Sequence, residues 1–143
     1  MKYIKLIALT LALSLSFASL NAVAANASAN KEKVVMQVSE ADPAKWNLVL
    51  NNAKNIQQAY GADNIDVEIV VFGPGIGMLK ADSVTAARID EAKKANVTIV
   101  ACENTMKASK LTKADMLPET SYVPSGVVEL IKQQRAGYAY IRP

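Results

Sequence analysis

The chain contains no histidine and only one cysteine, Cys102. The first absence removes Ser-His-Asp and Cys-His catalysis, the usual zinc ligand sets, and the side chain best suited to proton transfer near neutral pH. The second excludes an intramolecular disulfide, so the folded state must be held by packing. Aromatic residues are scarce, at 6%. Lys93-Lys94 and the trio Lys107, Lys110 and Lys113 are the basic clusters, and no aromatic side chains alternate with them. They read as a solvated face, and no nucleic acid partner is expected.

No apolar run is long enough to span a bilayer. Met1 is followed by Lys2 and Lys5, then by the uncharged stretch Leu6 to Leu20, which leads into Asn21-Ala22-Val23-Ala24-Ala25. A spanning helix needs ~20 apolar residues, whereas a short apolar core followed by small residues is what signal peptidase reads. Residues 1–25 are therefore expected to be a secretory signal peptide cleaved near Ala24 or Ala25, residues 26–32 a flexible lead-in, and residues 33–143 the mature domain. An uncleaved anchor is disfavoured because nothing after Leu20 prolongs the stretch. Loss of Lys2 and Lys5 with the leader lowers the formal charge from +3 to +1. The expected product is periplasmic, with no membrane attachment once the leader is gone.

The remaining chain suits a single core. Lys33 to Val38 and Ile65 to Phe72 read as strands; between them Asp42 can cap a helix with Pro43 at its first position, and Trp46, Val49, Leu50, Ala53, Ile56 and Tyr60 fall on one side of it before Gly61. Strand, helix and strand over so short a span make a parallel βαβ unit. The alternation continues through a loop at Gly73 to Gly77, a helix over about Ser83 to Ala95 and a buried strand over Val97 to Ala101. A short helix around Thr105 to Lys110 and a turn at Thr112 to Asp115 lead to a strand at Ser121 to Val123. Ser125 can cap the next helix, with Val127, Leu130 and Ile131 inward, and Gly137 to Arg142 forms the last strand. The fold class is α/β, an open, mostly parallel five-stranded sheet with helices on both faces, with a flavodoxin-like order 2-1-3-4-5 as the first expectation.

In such sheets, reactive groups gather at the carboxyl ends of strands. Cys102 ends the third strand and, with that order, would stand beside Ser39 and Glu40. A helix amino terminus there would favour the thiolate; Lys107 would help and Glu103 would oppose it. The competing reading is a small buried hydrophobe. Ser125 and Gly126 offer amides at the next helix start, which suit an anion or serve as ordinary capping. The run Gly73, Pro74, Gly75, Ile76 and Gly77 has neither phosphate-loop spacing and follows the second strand, so it reads as an apolar turn that sets Ile76, Met78 and Leu79 against a partner subunit or small ligand. Classical hydrolase, metal-enzyme and nicotinamide chemistry each lack their required residues, and no cofactor is expected.

Four segments in order, Phe72-Gly73-Pro74-Gly75, Val100-Ala101-Cys102-Glu103-Asn104-Thr105, Pro124-Ser125-Gly126-Val127 and Gly137-Tyr138-Ala139-Tyr140-Ile141, resemble the DsrE/DsrF-like family over about Lys33 to Pro143. The resemblance implies a doubly wound α/β domain assembled as a trimer or hexamer. In cytoplasmic relay members a cysteine at the position of Cys102 carries sulfur as a persulfide between donor and acceptor proteins. Here Asn104, Thr105 and Gly126 would shape the anion site around Cys102. This chain departs from those members in its export signal and its likeness to the single-domain branch. The rival expectations are a non-catalytic binding or assembly module with a structural Cys102, and a redox sensor that forms an intermolecular disulfide.

Overall fold

The computed structural model describes residues 31–143, so the expected leader and most of the lead-in lie outside the described residues. Five parallel strands, β1 (Glu32–Val38), β2 (Ile65–Val71), β3 (Val97–Cys102), β4 (Ser121–Val123) and β5 (Ala139–Ile141), form one sheet in the order β4-β3-β2-β1-β5. The helices are α1 (Pro43–Tyr60), α2 (Ala86–Lys94), α3 (Glu103–Ala108) and α4 (Gly126–Arg135). Among the described residues no helix is long and apolar enough to cross a membrane.

The order differs from the expected 2-1-3-4-5. From β1 the chain walks one way through β2 and β3 to β4, and only the last connection turns back, past three strands, to place β5 on the far side of β1. Right-handed crossovers then put α1 and α2 on one face, and the reversed step puts α4 alone on the other. Two consequences follow. β2 lies between β1 and β3, so Cys102 does not stand beside Ser39 and Glu40; two strand spacings, roughly 10 Å, separate their strands. The order reverses between β1 and β5 instead, and there the carboxyl-end crevice is closed by the chain itself. Arg142 pairs with Glu40 at 2.7 Å, and Trp46 Nε1 donates to the Glu40 carbonyl at 2.8 Å. The Arg142 guanidinium, with the Ser39 amide and hydroxyl, holds the Glu40 carboxyl down at about 2.

Strand alternation sorts the residues onto the two faces. Val34, Met36, Val38, Ile65, Val67, Ile69, Val71, Val97, Ile99 and Ala101 point toward α1 and α2 and join Trp46, Val49, Leu50 and Ile89 in the main core. Helix α1 starts as its sequence requires: the Asp42 carboxylate accepts from the Ala44 amide at 2.8 Å, with Pro43 at the first position, and Gly61 ends it at φ +85°. Tyr60, expected on its inner side, is exposed, because the last turn runs past the sheet. The segment Gly73–Leu79 is a 3-10 turn whose Ile76, Met78 and Leu79 are sunk in this same core rather than offered to a partner. Gly75 is obligatory there, since a Cβ would fall 2.6 Å from the Val38 carbonyl oxygen.

The opposite face carries Val35, Val70 and Val100 under Leu130 of α4, with Phe72, Val123 and Tyr138 at the margin. Leu130 points inward as expected, but Val127 and Ile131 do not: they are 53% and 45% exposed. A lone helix on a five-stranded sheet touches it along a narrow stripe, and the positions one residue to either side of that stripe face solvent.

Candidate site around Cys102

Cys102 is the last residue of β3 and also the N-cap of α3, because the helix begins at Glu103 rather than near Thr105. That immediate strand-to-helix transition brings the first amides of α3 near the preceding side chain, although none closes a capping bond with its sulfur and the Asn104 amide donates to the Pro124 carbonyl at 3.2 Å. Cys102 has the parity of Val100, so its sulfur lies on the α4 face. The Val71–Ala101 pair is the last of the β2–β3 register, and one step beyond it Phe72 stands beside Cys102.

Helix α4 arrives over this corner. At Gly126 a Cβ would stand 2.9 Å from both Cβ and Cδ1 of Phe72, so only glycine lets the helix start descend this far. Its amide then lies close enough to the Cys102 sulfur to favour the thiolate. Burial is the largest single influence on the thiol and pushes it up. The Thr105 hydroxyl and the amides of Gly126, Thr105 and Asn104 together outweigh burial, and the thiol sits below its ordinary value. Neither Lys107 nor Glu103 is among the strongest influences on it, so dipoles outweigh charges in tuning this sulfur. The Thr105 Oγ1 accepts from the Gly73 amide at 2.9 Å, which leaves the hydroxyl proton free to point at sulfur.

The candidate residues thus divide. Cys102, Thr105, Asn104 and Gly126 converge, the last two through their backbone. Gly73 supports Thr105 from behind. Ser125 holds the N-cap position of α4, yet its side chain makes no capping bond. Pro74 is exposed, Gly75 and Gly77 pack against Val38 and Trp46, and Ile76 is core. An open groove of about 610 Å³, lined by Gly73, Pro74, Lys80, Thr105 and Ser109 among others, meets the cradle at Thr105. The Cys102 residue itself is 4% exposed. Phe72 is the participant that sequence reading missed; its signal was an aromatic one step past a strand end, which fixes position but not partner.

The model of the DsrE/DsrF-like family matches residues 8–143. Among solved structures, a protein of unknown function from Methanobacterium thermoautotrophicum, MTH1491, is 30% identical. It superposes with a TM-score of 0.75 over 79% of this chain and all of its own. A conserved protein of unknown function from Bacteroides thetaiotaomicron, BT1422, shares the fold at 13% identity, with a TM-score of 0.62 over 78% of this chain and 95% of its own. No curated protein matches the chain.

Proposed function

The chain belongs to the DsrE/DsrF-like family, and from that premise we propose that it is a sulfur carrier in which Cys102 accepts and passes on a sulfane sulfur. The observation that carries the reading is the polar corner at the end of β3: the Thr105 hydroxyl and the amides of two helix starts crowd around a single thiol and favour its ionised form, so that it sits below its ordinary value. The Cys102 thiolate attacks the terminal sulfur of a donor persulfide, the S–S bond of the donor breaks, and the donor leaves as its thiolate. An acceptor thiolate reverses the step and returns Cys102 as thiolate. A terminal persulfide is a better acid than a thiol, and the same groups suit its anion. The groove that meets the cradle at Thr105 is the approach for the donor, and because Cys102 is 4% exposed the cover of the cradle must give way during transfer. The reaction uses no cofactor.

Incubating the mature protein with a low-molecular-weight persulfide and weighing it intact tests this. The expected product is one sulfur atom heavier and is absent in Cys102→Ser. If the protein gains no sulfur where a known relay protein is loaded, the carrier reading is finished. Export to the periplasm belongs to the same proposal, and amino-terminal sequencing of the periplasmic product should begin close to Asn26.

Val127, Val128 and Ile131, 53%, 61% and 45% exposed beside the site, favour a second reading, that of a homo-oligomeric assembly module with a structural cysteine. It predicts that Ile131→Ser lowers the sedimenting mass, whereas Cys102→Ala leaves every binding property intact.

A further inference from the structure

Glu68 interrupts the apolar run of β2 and points at α4, with the parity of Val70. It is 6% exposed. Its Oε2 accepts from Gln133 Nε2 at 2.7 Å, and the same nitrogen donates to Glu129 Oε1 at 2.7 Å, so the two carboxylate oxygens are no farther apart than twice that length. Glu68 Oε1 is buried and has no hydrogen-bond partner. Glu129 is served from outside by Lys132 at 3.1 Å. An ionised Glu68 would place a naked oxygen in an apolar layer next to a second carboxylate, whereas the neutral acid avoids both penalties.

We propose that Glu68 is a positioning residue for Cys102, a proton-operated latch that keeps α4 seated on the sheet, and with it the Gly126 amide on the sulfur, when it is protonated and loosens the helix when it is ionised. The lever is short: Gly126 and Gln133 are seven residues apart on one rigid helix, about 10 Å along its axis. Among the described residues, the apolar contacts that hold α4 on that face are those of Leu130 and its few neighbours.

The groups around Glu68 act in both directions, and the upward influences are the larger. On α4 stand Glu129 and Lys132; on β2, Asp66, paired with Lys31 at 3.3 Å; on β1, Lys33, which covers the Tyr138 ring at 5.7 Å; on β3, the neutral Thr98. Tyr138, just ahead of β5, is itself pushed up, by burial first and then by Asp66, Glu68 and Glu129. Burial, then the Glu129 charge, push Glu68 up to about 7, against the smaller pull of Lys132 and Gln133. A carboxyl raised in the folded state holds its proton there when the unfolded chain has already lost it. The contribution of Glu68 to stability is therefore fully present below pH 4.5, declines as pH rises toward 7, and is lost above that.

The inference rests on Cys102 being the reactive group, yet its test does not require sulfur loading. Amide hydrogen exchange of α4 in the full chain, expressed as protection relative to the intrinsic rate, should fall at least tenfold between pH 5.5 and 8.5. It should stay level in Glu68→Gln, which keeps the Gln133 bond. In Glu129→Gln the transition should move to lower pH. Across the same range the Cys102 alkylation profile should carry a second inflection near pH 7 that Glu68→Gln removes. Equal pH dependence of α4 protection in the wild type and Glu68→Gln overturns the latch and leaves the carrier reading standing; a working latch on a protein that loads no sulfur sinks the carrier reading alone. Should Glu68→Gln fail to fold, Glu129→Gln decides, and an unshifted transition in it overturns the proposal.

Discussion

Among the described residues, twenty buried apolar side chains fill the sheet face under α1 and α2, while the face under α4 has four besides Cys102, and with these it buries two carboxylates. The first face is thick because three successive crossovers step the same way and each leaves its connection there. The second receives one helix, delivered by the single connection that turns back. A thick layer leaves no room for a polar side chain without a partner, and none is found on it among the described residues. The thin layer tolerates Glu68 and Gln133, and its open end is where Cys102 meets amides from two helix starts. The main core and the lone thiol thus lie on opposite sides of one sheet, and the separation can be tested from either side.

The largest effect should come from the thick face. Ile69→Ala, which empties a fully buried position, is expected to cost roughly 3–4 kcal/mol in urea unfolding, whereas Leu130→Ala under α4 should cost only about 2 kcal/mol because the helix can settle into the gap. Equal losses would contradict the division. Next, Gly126→Ala drives a methyl into Phe72 and should lower stability by about 1–3 kcal/mol. It should also raise the midpoint of the Cys102 thiolate absorbance titration; a fold-wide loss with the midpoint unmoved would mean that α4 contributes nothing to the sulfur. The smallest effect belongs to Thr105→Val. It removes one donor from the sulfur and the acceptor of the Gly73 amide, for about 1 kcal/mol. The thiol midpoint should again move upward while the main core stays intact, as near-ultraviolet dichroism would show; an unchanged midpoint would take Thr105 out of the cradle.

Much of this could be read along the chain. The strands at Ile65 and Val97, the Asp42-Pro43 helix start and the glycine stop at Gly61 are local statements, made by side chains within a few residues of one another, and the structure keeps them with shifts of only a residue or two. Cys102 at the end of a strand was equally legible. The environment of its sulfur was not, since Thr105 is three residues away but Gly126 is twenty-four, and Phe72 follows another strand. Val127 and Ile131 show the same limit: helical periodicity finds an apolar stripe but does not say how much of it a neighbour will cover.

What the sequence determined by itself was therefore the kind of each element, the parallel α/β class and the single thiol available for chemistry, because propensity, capping and alternation act over short stretches of backbone. The tertiary structure alone decided the strand order β4-β3-β2-β1-β5, which moved Cys102 away from Ser39 and closed the β1–β5 crevice with Arg142 and Glu40. It also decided that Glu68 would be buried opposite Glu129. Pairing between distant strands depends on the direction of each crossover, and a buried charge depends on what is folded over it; neither is encoded within any one segment.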